Sequence, residues 1–69
     1  MNLNLKIARI KKNLTQVELA ERVGVTSKYL SQLETGTAKN PSKSLMEKLA
    51  EALDSTVQVL FFSENQKGW

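Results

Sequence analysis

A chain of 69 residues with no cysteine and no histidine has few chemistries open to it. No thiolate is available as nucleophile or zinc ligand, and the commonest general base and metal ligand are both missing. No metal-binding cluster and no glycine loop suited to cradling phosphate stands out, so no catalytic residue, metal or cofactor is expected and the chain is not read as an enzyme. What remains is hydrogen bonding and charge. The densest set of such groups is Ser27, Lys28, Tyr29, Ser31 and Gln32, interleaved with Leu30 and Leu33. At helical spacing, Ser27, Lys28, Ser31 and Gln32 project away from the two leucines. A solvated surface is the plain reading of short polar residues there; a face of donors and acceptors aimed at a polar ligand is the functional one.

The surrounding elements follow from periodicity and punctuation. Leu3, Ile7, Ile10 and Leu14 fall at helical spacing, with Lys6, Arg9, Lys11 and Lys12 mostly on other faces, and Asn13 ends that helix. Thr15-Gln-Val-Glu18 is a capping box that opens a second helix, which carries Leu19, Ala20 and Val23 and stops at Gly24. Thr26 caps a third helix ended by Gly36. Thr37 to Pro41 is a loop whose Asn-Pro step disfavours helix at residue 40. A fourth helix runs from about Ser42, with Leu45, Met46, Leu49, Ala52 and Leu53 as its apolar stripe; Ser44 with Glu47 offers an alternative start. Leu, Ile and Met positions are expected in the core.

Thr56 to Phe62 has the β-branched and aromatic content of a strand. A short fifth helix capped by Thr56 is preferred, because no strand partner is evident. Val57, Val59, Phe61 and Phe62 are more apolar bulk than one short element buries in its own domain, so monomer core and dimer interface both stand open for them. Residues 1–62 are expected as one all-α, compact four- or five-helix domain, and 63–69 as a short flexible tail with Trp69 packed back or exposed.

The net charge of +3 is unevenly spread. Residues 1–43 hold eight Lys/Arg against three acids, and residues 44–69 hold two against four. A basic amino-terminal part suits a polyanion on one side of the molecule. The start Met-Asn-Leu-Asn does not resemble a secretory signal, and no apolar run approaches the roughly 20 residues of a membrane helix. A cytoplasmic protein with no membrane contact and no small-molecule ligand is expected.

Gln16 to Leu33 is where local signals converge. Two short helices joined by a turn with one glycine meet the needs of helix-turn-helix geometry. Ala20 sits where the helices cross most closely, Gly24 where the turn calls for a positive φ, and Leu19, Val23, Val25, Leu30 and Leu33 clamp the pair. With Leu14-Thr-Gln-x-Glu-Leu-Ala20, Gly24-Val-Thr26, Tyr29-Leu-Ser-Gln-Leu-Glu34, Gly36, Asn40-Pro-Ser42 and Leu49-Ala-x-Ala-Leu53, the chain resembles the lambda-repressor and Cro-like regulators, the xenobiotic-response-element (XRE) family, from about Leu5 to Phe61. Asp54 departs from it, standing where the family usually has glycine, and the apolar Val57–Phe62 run is stronger than usual.

The resemblance implies a four- or five-helix fold with helices two and three forming the DNA-binding unit, and the third helix in the major groove. Ser27, Lys28, Tyr29, Ser31 and Gln32 are then base-contacting candidates: Gln32 can bond adenine N6 and N7, and Lys28 suits guanine O6 and N7. Gln16, at a helix amino-terminus, matches a phosphate-holding position. Thr35, Thr37, Lys39 and Asn40 are further phosphate candidates, with Lys12 and Asn13 beside them. Arg9 and Glu34 match a structural ion pair. The implied partner is double-stranded DNA, read at an inverted repeat by a homodimer acting as a repressor. Relatives of antitoxin and sporulation type bind protein partners, so a protein–protein module of the same fold is the alternative.

Overall fold

The computed structural model describes residues 3–62. Its five helices are α1 (Leu3–Lys11), α2 (Gln16–Val23), α3 (Ser27–Thr35), α4 (Lys43–Ala52) and α5 (Val57–Phe61), with no strand among the described residues. The expected tail, residues 63–69 with Trp69, lies outside them. No helix among them is long and apolar enough to cross a membrane.

Helices of five to ten residues are too short to persist alone, so capping and packing must hold them. Thr15 accepts a hydrogen bond from the Glu18 backbone N–H at 3.0 Å, and the Thr15 N–H donates to the Glu18 carboxylate at 2.8 Å. The capping box is thus complete. Thr26, Ser42 and Thr56 each take the N–H three residues on, which fixes the starts of α3, α4 and α5. Ser42 rather than Ser44 opens α4. α5 is a helix because Thr56 satisfies its amino-terminal end and no neighbouring edge offers the ladder a strand needs.

Gly24 and Gly36 end α2 and α3 in the left-handed region, at φ 80° and 88°. A Cβ on Gly24 would meet nothing within 4 Å, so the backbone conformation and not crowding calls for glycine there. Asn13, Asn40 and Asp54 hold φ values of 58°, 56° and 53°. Asn and Asp are the side chains that tolerate this region best. The departure at Asp54 therefore keeps the backbone geometry for which a glycine is suited.

Leu5, Leu19, Leu30, Leu49 and Leu60, one from each helix, are fully buried and form the centre. Ala20, Val23, Leu33, Leu45, Ala50 and Leu53 complete the cluster. The expected placement of Leu3, Ile7 and Ile10 in the core does not hold: they are 53%, 47% and 53% exposed, while Leu5 and Arg9 occupy the buried face of α1. Arg9 turns inward because its partner, Glu34, is inside, and that rotation carries the three apolar residues outward. Met46 is only half-buried. In α5, Leu60 is buried, Val57 and Phe61 pack against the cluster, and Val59 is about half exposed, as is Phe62 just past the helix.

Candidate nucleic-acid interface

α2 and α3 pack directly on each other, with Leu19, Ala20 and Val23 of one against Leu30 and Leu33 of the other. Ala20 is 2% exposed, which fits its place at the crossing. The turn between them returns both the Gly24 and Val25 N–H groups to the Ala20 carbonyl, at 2.9 and 3.0 Å. The second helix is thereby aimed by backbone bonds and apolar contact together. Ser27 and Lys28, at its amino-terminal end, are exposed; Ser31 and Gln32, one turn on, are half-buried. Tyr29 is also half-buried, and its ring packs against the core.

Beneath this face lies a polar lock. Arg9 Nε donates to Glu34 Oε2 at 2.6 Å and an Arg9 terminal nitrogen to Glu34 Oε1 at 3.1 Å. The other terminal nitrogen donates to the Leu14 carbonyl at 2.8 Å. Gln16 Nε2 also donates to Glu34 Oε1, at 3.0 Å. One carboxylate thus joins α1, the first turn of α2 and the last turn of α3, and no buried side-chain polar atom among the described residues lacks a partner. A two-pronged guanidinium–carboxylate pair fixes orientation as well as distance. The Arg9–Glu34 pair of the resemblance is present; its link to Gln16 was not legible, because Gln16 and Glu34 lie eighteen positions apart with no local pattern joining them.

That link orients Gln16. Gln16 is the first residue of α2, and backbone N–H groups and the helix dipole at such an amino-terminus favour an anion. Beyond α3 the chain folds back: the Ala38 N–H donates to the Gln32 carbonyl at 3.0 Å, and the Thr35 hydroxyl to the same oxygen at 3.3 Å. The Thr35 and Thr37 hydroxyls are 3.2 Å apart. This sets Thr35, the exposed last residue of α3, beside Thr37, Lys39 and Asn40 of the exposed loop that follows.

Two phosphate candidates stand apart from that arrangement. Asn13 shapes the turn after α1, its N–H bonded to the Ile10 carbonyl at 2.9 Å. Lys12 pairs with Asp54 at the turn between α4 and α5. The Lys12 ammonium holds the Asp54 carboxyl below its ordinary pKa, by hydrogen bond first and by charge second. The described residues contain no grouping of His, Cys, Asp or Glu able to hold a metal ion.

Comparison with known proteins agrees with this geometry. The helix-turn-helix family model matches residues 5–60. An uncharacterized HTH-type transcriptional regulator of Archaeoglobus fulgidus is 36% identical over 69 residues, which is all of this chain and 96% of that protein. SinR of Bacillus subtilis, an HTH-type transcriptional regulator, is 36% identical over 62 residues, and the chain spans 56% of its length. The crystal structure of SinR, the master regulator for biofilm formation, in complex with DNA superposes with a TM-score of 0.81 at 36% identity, covering 88% of this chain and 100% of that one. SinR is thus a transcriptional regulator seen in complex with DNA. The five-helix arrangement and the α2–α3 unit place the chain among these relatives: it belongs to the XRE-type helix-turn-helix family of DNA-binding transcriptional regulators.

Proposed function

We propose that the protein represses transcription in the cytoplasm by binding an inverted-repeat operator as a homodimer, with α3 of each copy in the major groove. The observation that carries this reading is the exposed Ser27–Lys28 end of α3, backed by a buried lock that also orients Gln16. Lys28 and Gln32 read base edges, with Ser27 and Ser31 as short supporting contacts and Tyr29 at the margin. Gln16, Thr35, Thr37, Lys39 and Asn40 hold phosphates and fix register, while the other two candidates, Lys12 and Asn13, stand apart from them. Two copies side by side set their reading helices about 34 Å apart, one turn of DNA. Repression then follows from occupation of the groove.

Selection from random duplexes at about 150 mM salt tests this reading, because salt-resistant enrichment marks base contacts. An inverted repeat with half-sites about ten base pairs apart is expected. Lys28→Ala and Gln32→Ala should each cost roughly 1–3 kcal/mol at particular base pairs, whereas Gln16→Ala should weaken all sequences alike. Uniform loss in Lys28→Ala would remove it from the base readers. Enrichment of no sequence would favour the alternative, a protein-binding module, which the exposure of Val59 and Phe62 supports.

A further inference from the structure

The largest departure from the sequence expectation is the outer face of α1. Leu3, Ile7 and Ile10 form a stripe at helical spacing on the side away from Leu5 and Arg9, and each is about half exposed. Ile7 lines a groove with Ala8, Lys11, Lys12, Leu53, Asp54 and Val59, so the stripe runs on into the exposed side of α5. Phe62, also half exposed, caps the end of α5. The Lys12–Asp54 pair closes the groove at one end.

We infer that this α1–α5 face, and not α5 alone, is where a second copy of the chain docks. The inference rests on the homodimer reading above and deepens it by assigning Leu3, Ile7 and Ile10 to the interface alongside Val59 and Phe62. Five half-exposed large side chains present on the order of 500 Å² of apolar surface, high in the range for the largest patch of a monomer. Doubled across a two-fold axis this removes about 1,000 Å² from water, the lower edge of what a specific interface needs. A contact of that size gives a weak dimer in solution, completed when DNA holds two copies on adjacent half-sites.

Self-complementarity favours a second copy. An axis passing near Ile7 and Val59 sets apolar side chains against apolar side chains, as a two-fold interface requires. At the rim, Asp54 already neutralises Lys12, so docking strands no carboxylate there. The reading helix stays free, because Arg9 reaches Glu34 of α3 from the opposite side of α1. Val57 and Phe61, by contrast, are partly buried against the domain's own core.

Sedimentation of the full chain over a concentration series tests the assignment, with circular dichroism confirming that each variant folds. The expected result is a weak wild-type dimer, weakened at least about tenfold by both Ile7→Glu and Val59→Glu. On the selected duplex both variants should lose cooperative filling of two half-sites while binding a single half-site as the wild type does. If Ile7→Glu dimerises and binds cooperatively like the wild type while Val59→Glu does not, the interface is α5 alone and the inference fails while the homodimer reading survives. A wild type that stays monomeric on the two-site duplex overturns both. In that monomer, a change in Trp69 emission on Ile7→Glu would mark residues 63–69 as the occupant of the groove, and no change would leave the face to a different protein.

Discussion

The two ends of this small domain are held by different physics. Where α2 meets α3, specific constraints are added to apolar packing: capped starts, glycine ends, a close crossing at Ala20, and a carboxylate shared by Arg9 and Gln16. Where α1 meets α5, Leu60 is the one fully buried side chain of a five-residue helix, and large apolar groups remain half in water. The polar end is rigid because hydrogen bonds and chelated charge tolerate few alternative geometries. The apolar end is permissive, because hydrophobic burial has no preferred direction. A DNA reader needs that division: base edges demand fixed angles, and a joint between subunits can settle against whatever surface completes it.

The contrast can be tested from its strongest element downward. Arg9→Ala should cost about 3–5 kcal/mol, because it strands the buried Glu34 carboxylate. Urea unfolding would show this as a lower midpoint at unchanged slope. An Arg9→Met, Glu34→Leu pair should recover much of that loss, since no charge is then left unpaired. If the double variant is no better than the single one, the lock acts through its geometry and not through the cost of an isolated charge.

Leu60→Ala should cost roughly 2–4 kcal/mol, the lower part of the range for such a truncation, because a terminal helix can close around the gap. Amide exchange should show α5 opening before α2 and α3 do. A loss spread evenly over all five helices would contradict the claim that the two ends are separately held.

The smallest effect concerns the rim of the groove. Lys12 lowers the Asp54 pKa in the folded protein, so what the pair contributes is present above the ordinary carboxylate value of about 4 and is lost as pH falls through the folded value. Both groups are exposed, so the contribution is slight. Acid titration of thermal stability should show a shallower decline in Asp54→Asn than in the wild type, with equal stability at the acid end.

The sequence was most informative where its signals are local. Thr15 with Glu18, Thr26 before Ser27, and Gly24 and Gly36 each act within four residues, and the structure places them as read. The XRE resemblance supplied Arg9–Glu34, which no periodicity announces. The outer face of α1 was misread for a physical reason. Leu3, Ile7 and Ile10 mark an apolar stripe, but a stripe does not say which side of a helix packs inward. That was settled by Glu34, twenty-five residues from Arg9. The same gap in range hid the hold of Glu34 on Gln16 and the pairing of Lys12 with Asp54.

The side chains of Ser27, Lys28, Ser31 and Gln32 bear on how such a protein changes over generations. Among the described hydrogen bonds none comes from these four side chains, whereas the Gln32 backbone carbonyl is well used. Exchanging the exposed Ser27 and Lys28 therefore leaves the folded state almost indifferent, as surface substitutions away from structural features usually do, and at the half-buried Ser31 and Gln32 no side-chain hydrogen bond is lost. A lineage can move to a new operator through single steps at these positions without first acquiring spare stability, because the Arg9–Glu34 pair and the Gly24 turn beneath are not disturbed.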